Sequence, residues 1–176
     1  MNIIRYVAGG KMNFVILLNG PINAGKSTVS KELCRLHPCM AHVEVDDLRG
    51  FIDWMPLFES IPLNLKNAAA VGRNFLEYGL DIVISYPLRL DDYKYLVDSL
   101  NPYPVYSVTL MPPLSVAQTN RGGRELEPDE VERIAVMYQE SPPRFETILI
   151  DNSEMTPTET ASLILNWICD SAANKK

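Results

Sequence analysis

The stretch NFVILLNGPINAGKSTVSKEL, residues 13 to 33, limits the possible folds more than any other part of the chain. It opens as an apolar run, passes through a loop of small residues and takes up a helical pattern at Lys26. Within it GPINAGKS, Gly20 to Ser27, satisfies G-x-x-x-x-G-K-[ST] between a strand-like and a helix-like segment, the context this motif requires. Gly20 and Gly25 permit backbone angles that a β-carbon obstructs, so successive N–H groups can turn inward. The helix start adds a partial positive charge and Lys26 a full one. Such a loop holds phosphates. Its expected nucleotide contacts are Gly20, Pro21, Ile22, Asn23, Ala24, Gly25, Lys26, Ser27 and Thr28, with the Ser27 hydroxyl placed to serve Mg²⁺.

A chain of 176 residues, 47% of them hydrophobic, has apolar material for one compact core. Residues 13–170 are read as that single domain, with 1–12 as an N-terminal extension and 171–176 as a tail. The net charge of −6 argues against a broad basic face, so no nucleic-acid partner is expected and any anion site must be local. No window approaches the roughly 20 apolar residues of a membrane span, and the start lacks a secretory signal pattern, so a cytoplasmic protein without a membrane partner is expected. Three cysteines are too few and too sparse for a disulfide framework. Cys34, His37, Cys39 and His42 lie close in sequence, but Pro38 interrupts them and no loop separates two ligand pairs, so zinc is set aside.

Read for period, short β-branched or apolar runs alternate with longer helical segments. The expected strands are 13–19, 41–46, 81–85, 104–110 and 147–151. Between them Val29, Leu33 and Leu36, then Leu65, Ala68, Ala69, Phe75 and Leu76, then Tyr93, Leu96 and Val97 recur at helical spacing. Gly79 and Asn101-Pro102 punctuate the chain, and Thr156-Pro157 opens a last helix with proline in its first turn. This alternation predicts an α/β fold, a parallel sheet covered on both faces.

Four further segments carry a resemblance: NAGKST, VEVDDLRG, NRGGRELEPDEVERIAVMY and ILIDNSEMTPTET. With the loop, they resemble the small-molecule kinases of the nucleoside-monophosphate-kinase-like P-loop group, which holds shikimate kinase, gluconate kinase and chloramphenicol phosphotransferase. The resemblance spans about residues 13 to 168. It implies a three-layer α-β-α fold, a five-stranded parallel sheet of order 2-3-1-4-5 and a short lid after the fourth strand, with ATP and Mg²⁺ as cofactors.

The resemblance also implies site residues. Asp46, at the expected end of the second strand, matches a carboxylate that faces the transferring phosphate, where it accepts or orients a substrate hydroxyl proton. Asp47, before LRGFI, reads as a helix N-cap. Arg121 and Arg124, flanking two glycines, match lid arginines whose planar forks suit phosphate oxygens. Arg133 either reaches the phosphates or pairs with Glu130 or Glu132. Asn152 and Ser153 lie where related kinases wrap the adenine, though both residue types also favour turns.

One departure stands out. The strand beside the loop ends in Ser85, where many P-loop proteins place a metal-associated carboxylate, so Asp46 or Asp47 is expected to serve Mg²⁺ as well as the acceptor. Tyr86, Arg89, Arg49 and Arg73 are candidate substrate contacts, each with packing or surface as the other reading. The apolar stretch from Trp54 to Phe58 reads first as core and second as acceptor pocket. Together these features point to an ATP-dependent kinase for a hydroxyl of a small metabolite or antibiotic, acting as a monomer or homodimer. A nucleotide kinase and a nucleotide-binding regulator with slow hydrolysis are the alternatives.

Overall fold

The computed structural model describes residues 13–119, 125–139 and 147–173. Five strands form one sheet in the order β2-β3-β1-β4-β5. They are β1 (Val15–Asn19), β2 (Met40–Glu44), β3 (Asp81–Ser85), β4 (Val105–Leu110) and β5 (Thr147–Ile150). Every pairing is parallel. The expected strand order is therefore observed, and all the carboxyl ends share one edge.

Seven helices connect and cover the strands: α1 (Lys26–Leu36), α2 (Val45–Arg49), α3 (Leu57–Glu77), α4 (Leu90–Leu100), α5 (Leu114–Ala117), α6 (Pro128–Gln139) and α7 (Pro157–Ala173). Alternation along β1 explains the layering. Ile16 and Leu18 belong to a core with Val29 and Leu33 of α1 and Ile164 and Ile168 of α7. Val15 and Leu17 point the other way, into a core with Leu65 and Leu76 of α3 and Leu96 and Leu100 of α4. Burying both faces of β1 removes this central strand from water and fixes its register, since a one-residue slip would exchange the two cores. Thr156 and Glu159 form a reciprocal cap on α7, Glu159 N–H donating to Thr156 Oγ1 at 3.2 Å and Thr156 N–H to Glu159 Oε2 at 2.8 Å.

Two expectations need correction. The second strand stops at Glu44, not at Asp46, because β2 is an edge strand whose only partner ends with the pair Glu44↔Ser85. Beyond that pair there is no strand to bond, and the backbone turns at once into α2. Asp47 is consequently not an N-cap; Glu44 holds that position, and Asp46 and Asp47 both fall in the first turn of α2. The stretch from Trp54 to Phe58 is not core: Trp54 is 76% and Phe58 63% exposed. No helix among the described residues is long and apolar enough to cross a membrane.

Candidate functional site

The loop between β1 and α1 is tied down from several directions. Gly20 has φ +147°, and a β-carbon there would lie 2.5 Å from the Leu110 carbonyl oxygen, so only glycine lets β4 and the loop approach this closely. Asn23, itself at φ 63°, donates through Nδ2 to the carbonyls of Ala117 and Thr119, each at 2.8 Å. The buried Asn152, after β5, donates through Nδ2 to the Ala24 carbonyl at 3.0 Å. The loop is thereby tied to the segments that follow β4 and β5. α1 begins at Lys26 without a side-chain cap, so the N–H groups of its first turn remain available to an anion.

Lys26 is buried, and its Nζ donates to the carbonyls of Gly20 and Pro21 at 3.0 and 2.9 Å. Burial lowers its pKa to about 8, against the opposing pull of Glu44 and Asp46. The ammonium group thus sits at a site that favours more negative charge than the protein supplies. Phosphate oxygens satisfy that demand.

Opposite the loop, Ser27 Oγ donates to Glu44 Oε2 at 2.6 Å. Register places Glu44 directly beside Ser85, the residue lacking the usual charge. Ser85 is fully buried and bonds His42 Nε2 at 2.6 Å, and the same nitrogen lies 3.6 Å from Glu44 Oε2. Burial lowers the His42 pKa, which favours the neutral ring. A carboxylate thus stands one strand over from Ser85, on Glu44. The sequence reading overlooked it, although VEVD holds a signal: Glu44 and Asp46 are two apart. Hard oxygens on Ser27 and Glu44 at the phosphate end of the cleft fit Mg²⁺. Among the described residues no group of three His, Cys, Asp or Glu is arranged to hold a metal ion.

A cleft of about 430 Å³ opens beside the loop, lined by Gly20, Pro21 and Ile22 and by Asp46, Tyr86 and Arg89. Asp46 is open to solvent at its mouth; partial desolvation, then the Glu44 carboxylate, raise its pKa, while Lys26 and Arg49 oppose this. Tyr86 is buried and pushed up to about 12 by burial and then by Asp46, so it stays a phenol with a proton to donate. Arg133 also lines the cleft.

Other candidates separate. Arg49 is half-buried beside Asp46, its Nε without a hydrogen-bond partner among the described residues. Arg73 is remote from the site: it donates to the carbonyls of Ser99 and Asn101, tying α3 to the end of α4. The side chain of Asn152 braces the loop, and Ser153 N–H donates to Asp151 Oδ1 at 2.9 Å in a turn. Thr28 is exposed on α1. His37, weighed with the cysteines, pairs with Asp81 at 2.7 Å. Arg121 and Arg124 lie outside the described residues.

No family model and no curated protein matches this sequence. Solved structures do match in shape. A gluconokinase from Sinorhizobium meliloti superposes with a TM-score of 0.66 at 16% identity, covering 95% of this chain and 99% of that one. The Mycobacterium tuberculosis APS kinase, in complex with AMPPNP and APS, gives a TM-score of 0.67 at 15% identity over 90% of this chain and 99% of its own. The fold is that of the P-loop small-molecule kinases. The Deinococcus radiodurans tunicamycin resistance protein shares it too, with a TM-score of 0.65 at 16% identity over 89% and 95% of the two chains.

Proposed function

We propose that this protein is an ATP- and Mg²⁺-dependent phosphotransferase that moves the γ-phosphoryl group to a hydroxyl of a small molecule. The observation that carries this reading is that one cleft is lined both by the start of the phosphate loop and by Asp46, an acidic group with solvent access and a raised pKa. A protein that only holds a nucleotide has no need of a proton acceptor across from the phosphates. The kinase fold of the structural neighbours supports the same reaction class.

In this mechanism the loop N–H groups, the start of α1 and Lys26 hold the polyphosphate and stabilise charge spreading over the transferring group. Ser27 and Glu44 would hold Mg²⁺, which, when bound, neutralises charge across the phosphate oxygens. Asp46 accepts the acceptor hydroxyl's proton as the new O–P bond forms and the bond to the ADP oxygen breaks. Tyr86, protonated beside it, donates a hydrogen bond that orients the hydroxyl. Arg121 and Arg124 complete the proposal as lid residues that exclude water, the competing acceptor.

The test is ADP release by the purified protein with ATP and Mg²⁺, measured with and without a panel of small alcohols, metabolites and antibiotics. A large acceptor-dependent stimulation, with a phosphorylated product by mass spectrometry, is expected. Tight ATP binding that no acceptor accelerates favours a nucleotide-binding regulator instead.

A further inference from the structure

We propose that the acceptor is an alcohol with an apolar body, aryl or branched alkyl, and not a polyhydroxylated sugar or sugar acid; the inference rests on the phosphotransferase reading of the same cleft. The cleft is also lined by Leu57, Phe58 and Ile61 on the first turns of α3 and by Leu90, Met111 and Met137. Two of the polar groups lining the cleft are already committed. Asn19 Oδ1 accepts from the Leu88 N–H at 2.9 Å, and Asp92 Oδ2 from the Arg89 N–H at 3.0 Å. Among the described residues lining the cleft, Asp46, the Tyr86 hydroxyl and the guanidinium groups of Arg89 and Arg133, with the remaining atoms of Asn19 and Asp92, are the polar side-chain groups open to a ligand.

The apolar lining of Leu57, Phe58, Ile61, Leu90, Met111 and Met137 offers a ligand no such partner, which suits an acceptor whose polar atoms are confined to one end. A hexose presents roughly ten donor and acceptor functions, and those turned toward Leu57, Phe58 and Met111 would be buried unpaired. An apolar body gains from the same wall what a polyol loses. Methionine side chains add walls that adapt to irregular shapes.

The rim points the same way. Phe58, 63% exposed, lines the cleft, and within eight positions of chain Phe51 (84%) and Trp54 (76%) are exposed as well. Single exposed apolar residues are ordinary, but a cluster at a binding cleft marks surface waiting for a partner. Pro62 lies inside α3 and has no N–H to give to the Phe58 carbonyl, so the turn carrying Phe58 is held less tightly than the rest of the helix. The rim can thus settle onto an apolar guest.

The experiment uses the full chain with ATP and Mg²⁺ and two acceptor sets: 2-phenylethanol, 1-phenyl-1,2-ethanediol and cyclohexylmethanol against glycerol, glucose, sorbitol and gluconate. ADP release is read together with tryptophan emission, which Trp54→Phe assigns, because Trp167 packs edge-on against Tyr106 at 5.9 Å away from the rim. Expected are stimulation by the first set, a blue shift of Trp54 emission, and a tenfold or greater rise in acceptor KM in Phe58→Asp with ATP KM unchanged. Phe58 is mostly exposed, so this variant folds. A polyol that matches or exceeds the best apolar alcohol overturns the acceptor class and leaves the kinase reading standing. A Trp54 shift by the apolar set without ADP release does the reverse. A shift that appears with protein concentration alone assigns the rim to a second copy of the chain and overturns the proposal.

Discussion

Ser27 Oγ and Glu44 Oε2 stand 2.6 Å apart, joining the first turn of α1 to the last residue of β2. Both oxygens belong to groups that divalent cations favour, and the pair lies where the loop delivers the phosphates. In the proposed mechanism Glu44 supplies the charge that its neighbour Ser85 lacks. Glu44→Gln keeps the hydrogen bond and removes the charge. It is expected to raise the Mg²⁺ concentration for half-maximal turnover about 10- to 100-fold, with little change in thermal stability. A Mg²⁺ titration at saturating ATP checks this; an unchanged midpoint would sink the assignment of Glu44.

Lys26 makes two linked predictions. Its pKa falls from 10.5 in the unfolded chain to about 8 in the fold, so the folded state releases this proton first. The charged form therefore destabilises the free protein by about 3 kcal/mol below pH 8, and this cost fades as pH rises from about 8 to 10.5. Lys26→Met should leave the melting temperature of the free protein level or higher at pH 7, yet abolish the stabilisation that ATP gives. In the natural chain, bound polyphosphate restores the higher pKa. Calorimetry near pH 8.5 in buffers of different ionisation heat should then show proton uptake on ATP binding, which disappears near pH 6.5.

The two asparagines that hold the loop are expected to act on affinity more than on chemistry. Asn152→Ala leaves the Ala24 carbonyl without its amide donor inside the protein, at a cost of about 1–3 kcal/mol. For a chain of this size that lowers the melting temperature by roughly 2–4 °C per kcal/mol. ATP KM should rise about tenfold with kcat within a factor of about three, because a loosened loop must be ordered again by each nucleotide. Equal losses in kcat and kcat/KM would instead give Asn152 a direct part in the reaction.

The loop and the alternation of buried strands and helices were legible because they rest on local signals, a motif with fixed spacing and apolar residues at period 2 or 3.6; the strand order came from the resemblance to the P-loop small-molecule kinases. What escaped depends on partners distant in sequence. Asn23 and Asn152 meet backbone 94 and 128 positions away, which no local pattern reveals. The end of β2 was misread because the alternation in VEVD continues past the last residue of β3 available for pairing. Glu44 was missed for the same reason: with the strand extended, attention fell on Asp46. The stretch from Trp54 to Phe58 looked like core because hydrophobicity alone does not say whether water or a ligand covers a side chain.

Asp46 supplies the sharpest pH test. Partial desolvation and the nearby Glu44 raise its pKa, so it takes up a proton at higher pH than an ordinary aspartate. If it accepts the hydroxyl proton, kcat/KM for the acceptor must fall as pH drops through that raised pKa, and the acid limb of the profile must lie above the usual range near 4. Asp46→Asn cannot accept the proton. It should lower kcat by about 10²-fold or more, while the ATP-induced shift in melting temperature stays intact. Stability should respond in the opposite sense. The folded state favours the protonated carboxyl, so the natural chain gains on Asp46→Asn as pH falls through the raised pKa and loses that gain as pH rises. Melting curves of both proteins across that window measure the crossing. An acid limb that persists unchanged in Asp46→Asn, or near-normal transfer by that variant, would remove Asp46 as the proton acceptor and leave it a role in orientation alone.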